Sequence, residues 1–166
     1  MKQVTVNSTT AEDPALQYSS SKKFNFNHLV APTDFSPNSK KTVDCAVQLA
    51  RRLGAKLTLL HVVPEPSALD YSMEGFSVQQ IQGWEEEAKI KLAEELARTQ
   101  VEYKDVDAVK LSALHPRDEI VRAATSLSAD LLVLSTHGYT GWKHILFGSD
   151  AEKILEHAPC PVLVVR

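Results

Sequence analysis

"HLVAPTDFSPNSKKTVDCAVQLARRLGAKLTLLHVVP", residues 28–64, decides the fold. "LVAP" is a short apolar run closed by Pro32, as expected of a strand buried on both faces. Ser36 followed by Pro37 reads as a helix N-cap with proline at the first helical position. Val43, Ala46, Val47, Ala50 and Leu53 recur at helical spacing. Gly54 then ends the helix, as a left-handed cap residue would. "KLTLLHVVP", residues 56–64, is a second apolar strand, stopped by Pro64 and Pro66. A strand, a helix and a strand in this order make the crossover unit of a parallel sheet.

The unit repeats along the chain. Residues 67–77 read as a loop. From Val78 to Thr99, Ile81, Trp84, Ala88, Leu92 and Leu96 form an apolar stripe. Glu85–Lys89, Glu87–Lys91 and Glu94–Arg98 are spaced as helix-supporting pairs on the solvated side. "YKDVDAVKLSAL" alternates at Val106, Ala108 and Leu111, predicting a partly exposed third strand. Pro116 opens a short helix carrying Ile120, Val121, Ala124 and Leu127. "DLLVLS", residues 130–135, is the most apolar strand and is expected at the centre. A helix over 149–157 and a fifth strand, "PVLVVR", from Pro161 to Arg166, close the pattern. Regular alternation predicts an α/β fold: a parallel sheet with helices on both faces. Ligands of such sheets bind beyond the carboxyl ends of the strands, where the strand order reverses. Two loops qualify, "PTDFS" after the first strand and "STHGYTG" after the fourth.

The chain has 166 residues, enough for one domain with a full core. Residues 1–27 are rich in Ser, Thr, Asn and Lys and are expected to be mostly a flexible leader, with "QVTV" a candidate short strand, and residues 28–166 the domain. The leader lacks the apolar core of a signal peptide, so a cytoplasmic location is the expectation. The net charge is −3 with no long basic run, which gives no nucleic-acid footprint. No apolar run is long enough to span a bilayer. Cys45 and Cys160 form no metal or redox motif and read as reduced, mostly buried thiols.

"STHGYTGWKHILFGSDAEKIL", residues 135–155, holds Gly138, Gly141 and Gly148 ahead of the last helix. It admits two readings. Ser149 with Glu152 three residues on has the capping-box spacing, so the serine caps the helix and the glycines only turn the chain. Alternatively, exposed amides at a helix N-terminus attract phosphate, and glycines let it approach the backbone. The stretch is neither a P-loop, lacking Gly-Lys-Ser/Thr, nor the dinucleotide GxGxxG.

"PTDFS", "LLHVV", "LHPRDEIV" and above all "THGYTGWKHILFGSDAEKILEHAPCPVLVVR" resemble the universal stress protein family, over residues 28–166. The resemblance implies a Rossmann-like five-stranded parallel sheet of order 3-2-1-4-5 and a homodimer. In the family's ATP-binding branch, Gly-two-Gly-nine-Gly-Ser/Thr holds ribose and phosphates. Carried over, the second glycine is Gly138, and nine residues later come Gly148 and Ser149. Ser135 stands at the first glycine, a departure from the pattern, and Gly141 is not one of the three. Adenine in that branch lies against Pro32, Thr33, Asp34 and Val62. Asp34 is there a polar contact to the base region, though an Asx-type turn explains it equally. His137 is placed to face phosphate or solvent. Asp150 puts a carboxylate beside the expected triphosphate, which it repels at close range. His61 reads as a strand imidazole satisfied by its neighbours.

Two functions of different kind follow from the resemblance. One is a cytoplasmic homodimer, paired through Pro161 to Arg166, that binds ATP, accompanied by Mg2+, and acts as a nucleotide-dependent regulator. The other is a dimeric interaction protein of the same family that binds no nucleotide. No nucleophile and base converge on the glycine stretch, so an enzyme is not expected, with slow ATP hydrolysis as the limit.

Overall fold

The computed structural model describes residues 25–67, 77–135 and 149–165, and of 149–152 the backbone alone. The described elements, in chain order, are β1 (His28–Pro32), α1 (Pro37–Leu53), β2 (Lys56–Pro64), α2 (Val78–Glu102), β3 (Val106–Ala113), α3 (Pro116–Ser126), β4 (Leu131–Ser135), α4 (Ser149–His157) and β5 (Val162–Val165). They form one five-stranded sheet of order β3-β2-β1-β4-β5. All four neighbouring pairs are parallel. This is the order the resemblance implies. The centre is β1, with Leu29 opposite Leu57 on one side and Leu131 on the other.

Side chains alternate across a strand, so each apolar run serves two cores. Leu29, Ala31, Leu57, Leu59, Leu131 and Val133 face one side and meet Val43, Ala46, Val47 and Ala50 of α1 and Leu92 of α2. Val30, Leu60, Val62, Leu132 and Leu134 face the other and meet Ile120, Ala123 and Ala124 of α3 and Ile154 of α4. Two buried faces explain why these strands read as unbroken apolar runs.

The expected ends of α1 are realised. Ser36 is extended, and its side chain accepts from the Ser39 amide at 3.1 Å. Gly54 sits at φ 65, and its N–H reaches the Ala50 carbonyl. The second helix runs to Glu102, three residues beyond the expected end, and opens on a reciprocal box between Ser77 and Gln80.

Its charges do not all follow sequence spacing. Glu87 and Lys91 pair at 2.6 Å as expected, but Lys89 turns to Glu86 at 3.5 Å. Arg98 takes Glu95 at 2.6 Å and Asp44 of α1 at 2.8 Å. Glu85 instead accepts from Ser112 of β3 at 2.8 Å and lies 3.5 Å from Lys110. Trp84, placed by its spacing in the apolar stripe, is 40% exposed. Both cysteines are free and half-buried.

Contacts to the domain begin before residue 28. Phe26 packs against the first core. The amides of Asn27 and His28 both donate to the Asp130 carboxylate, at 2.8 and 3.0 Å. No described helix is long and apolar enough to cross a membrane.

Candidate functional site

The strand order reverses at β1: its chain neighbour β2 lies on one side and β4 on the other. The crevice beyond the ends of β1 and β4 is therefore where such a sheet takes a ligand. The 33–36 loop follows β1, and α4, starting at Ser149, comes after β4.

The 33–36 loop is tightly tied. Pro32 is buried at the end of β1. Thr33, 3% exposed, donates its amide to the Leu60 carbonyl at 2.8 Å, extending the ladder by one bond. Its hydroxyl donates to Ser39 Oγ at 3.2 Å and accepts from the Phe35 amide at 3.1 Å. Asp34 Oδ1 accepts from the Ser36 amide at 3.0 Å. That is the Asx-type turn, one of the two expectations for this residue. Ser36 and Ser39 are buried and join the same hydroxyl cluster, which docks the loop on the first turn of α1.

His61 supports this loop from β2. Its Nδ1 lies 2.7 Å from the Thr33 carbonyl. A carbonyl only accepts, so Nδ1 carries the hydrogen and donates. The imidazole also meets the Phe35 ring, with centroids 4.4 Å apart and planes tilted by 36°. Phe35 has φ 63, a left-handed conformation that disfavours a side chain. Burial lowers the His61 pKa below its ordinary value, against the raising effects of the Thr33 bond and of Asp34. The ring is therefore neutral at neutral pH. The satisfied histidine expected here is what the structure holds, with the addition that its partner belongs to the 33–36 loop.

The remaining candidates divide. Val62 is 5% exposed and packs in the second core, one residue beyond His61. Ser135 is the last residue of β4, opposite Val165 of β5. Ser149 and Asp150 are the first two residues of α4, so the helix starts where the motif ends. His137, Gly138 and Gly148 lie outside the described residues, as does Gly141. Among the described residues, no group of three His, Cys, Asp or Glu could hold a metal ion. A concavity of about 350 Å³ lies between α3 and α4 and is lined by Arg117, Asp118, Val121, Lys153, Ile154 and His157, none of them a candidate.

Sequence reasoning missed Phe35. Nothing in "TDFSP" marks its left-handed backbone, because that conformation is normally signalled by glycine, asparagine or aspartate. His61 did carry a signal: it is the polar residue inside "LLHVV".

The family model described as "Universal stress protein family" matches residues 25–166. The chain belongs to the universal stress protein family. Universal stress protein MJ0531 of Methanocaldococcus jannaschii is 31% identical over 146 residues, covering 85% of this chain and 82% of that protein. The solved structure of MJ0577 from the same organism is 28% identical with a TM-score of 0.70, covering 85% of this chain and 96% of that one. A universal stress protein from Archaeoglobus fulgidus solved in complex with dAMP is 22% identical with a TM-score of 0.62, covering 86% of this chain and 99% of that one. At that identity the last shares the fold alone.

Proposed function

We propose that this universal stress protein binds ATP in the crevice between the 33–36 loop and the start of α4, and acts as a cytoplasmic homodimeric regulator that responds to the nucleotide. One observation carries the reading. β1 and β4 are neighbouring parallel strands at the reversal of strand order, so both motif-bearing connections start side by side at the same end of the sheet. That a protein of this fold was solved with dAMP supports an adenine nucleotide as the ligand class.

In this reading adenine lies by Pro32, Thr33, Asp34 and Val62. Ribose and phosphates meet the backbone around Ser135, His137, Gly138, Gly148 and Ser149. The motif has no P-loop lysine, so Mg2+ accompanies the triphosphate, held by its phosphates and water. Asp150 weakens binding by repulsion. No residue is assigned a catalytic role, and hydrolysis is slow at most. Dimerisation runs through Pro161 to Arg166, an edge strand that pairs with its own copy.

Gly148→Val and Ser149→Ala test the phosphate side by thermal shift with ATP and magnesium. Valine fills the space a phosphate needs, so Gly148→Val abolishes the ATP-induced stabilisation. Ser149→Ala lowers the ligand-free stability by about 1 kcal/mol if the serine caps α4. It also reduces the ATP shift if the serine contacts phosphate. An undiminished shift in Gly148→Val removes phosphate from this loop. The second reading, a dimeric interaction protein without nucleotide, is favoured by the bond between Asp34 and the Ser36 amide, which serves the chain alone.

A further inference from the structure

We propose that His61 is a positioning residue of the nucleotide site: by holding the Thr33 carbonyl and the Phe35 ring, it sets the 33–36 loop in the shape that receives the base. The proposal rests on the nucleotide reading above and adds a residue on β2 that controls the site through the loop.

Asp34 lies between two residues that His61 grips. Before it, the Thr33 carbonyl accepts from His61 Nδ1 at 2.7 Å. After it, the Phe35 ring lies against the imidazole at 4.4 Å. The chain needs such a grip because Phe35 stands at φ 63 without being glycine. A left-handed non-glycine residue persists only where its surroundings over-determine it. The Thr33 hydroxyl on the Phe35 amide and the Asp34 carboxylate on the Ser36 amide fix the turn from within. Neither ties the loop to the sheet. The Thr33 amide meets the Leu60 carbonyl, the Phe35 ring packs on the first core, and His61 adds a side-chain hydrogen bond and the ring contact. His61 is also the residue before Val62, so the residue that holds the loop adjoins the other strand position assigned to the base.

Burial lowers the imidazole pKa, so the ring is neutral at neutral pH. The Thr33 carbonyl, which only accepts, places the one ring hydrogen on Nδ1 and leaves Nε2 bare. The contact to Thr33 follows from which nitrogen carries hydrogen, and that is directly observable.

The test uses the full chain with ATP and magnesium as the probe, and two substitutions. His61→Leu fills the strand position without a donor. His61→Asn keeps an N–H donor near the place of Nδ1. His61→Leu is expected to lose the left-handed φ at Phe35, read by NMR, and to weaken ATP binding roughly tenfold, the scale of one misplaced polar contact. His61→Asn is expected to keep the sign of φ and to stay within about threefold of wild type, since a hydrogen bond to Thr33 survives. Equal affinity and an unchanged φ in His61→Leu overturn the proposal. So does His61→Asn behaving like His61→Leu, since the hydrogen bond to Thr33 would then not hold the loop. If His61→Leu does not fold, the wild-type imidazole nitrogen spectrum decides: hydrogen on Nδ1 supports the tie to Thr33, and hydrogen on Nε2 alone overturns it. A wild-type chain that binds no ATP overturns the nucleotide reading, and the φ measurement then still decides whether His61 sets the loop.

Discussion

Phe35 holds a backbone conformation that costs a side-chain-bearing residue roughly 1–2 kcal/mol, and its ring packs against His61 and the first core. Two substitutions separate these effects. Phe35→Ala keeps the strain and loses the ring. Phe35→Gly loses both. Chemical denaturation should therefore find Phe35→Ala less stable than Phe35→Gly by about 1 kcal/mol. The reverse order would mean that the loop leaves the left-handed conformation once the ring is gone. His61 makes a second prediction at this scale. Its folded pKa lies below the ordinary 6.5, through burial first, with Lys110 and Lys91 also lowering it and Asp34 opposing. The unfolded chain then binds a proton that the folded chain refuses, so this residue's contribution is intact above 6.5 and is lost as pH falls through the folded value. Melting temperatures compared between about pH 7 and about pH 5 should fall less in His61→Asn than in wild type. Parallel curves for the two proteins would exclude His61 as the titrating group.

At the scale of elements, α1 is held at both ends by caps. Ser36 caps the helix through the Ser39 amide, and Ser36→Ala should cost about 1 kcal/mol of unfolding free energy. Because Ser36 also donates its amide to Asp34, only the side-chain part of the turn is lost, and α1 should keep its helical signal in circular dichroism. An unchanged stability would show that the buried Ser39 hydroxyl takes over the cap.

Elements were legible in the sequence where one physical rule dominated. The strands announced themselves because burial on two faces demands apolar runs. The helix ends were legible because Ser36–Pro37 and Gly54 each have one strong reason to be there. Ion pairs were not. Spacing ranks Glu85 with Lys89 and Glu94 with Arg98, but tertiary neighbours compete: Ser112 and Lys110 draw Glu85, and Asp44 with Glu95 draws Arg98. Trp84 sits on the helical stripe by angle, yet near that end of the long helix it is half in solvent. The candidate site was legible as two loops at a reversal of strand order. The grip of His61 on Thr33 and Phe35 was not, because it depends on a positive φ that the residue type does not signal and on a contact 28 positions apart in the chain.

For the whole molecule, the start of the domain and its edge strand offer separate tests. Deleting residues 1–24 should leave the melting temperature nearly unchanged, since that stretch has little apolar surface to bury. Deleting 1–27 should lower it, because Phe26 packs on the core and the Asn27 amide meets Asp130. Equal effects of the two deletions would mean that Phe26 and Asn27 add nothing to the domain. Val164→Lys should convert the proposed dimer to monomer or aggregate in light scattering, and an unchanged dimer would place the interface away from β5.

ATP is expected to bind at the ends of β1 and β4. Isothermal calorimetry of the wild-type chain with ATP and magnesium tests it most directly. Saturable binding of one nucleotide per chain is expected, abolished in Gly148→Val and tightened in Asp150→Val, where a repelling charge is gone. No heat and no thermal shift at millimolar ATP would contradict it and leave the glycine stretch as a turn.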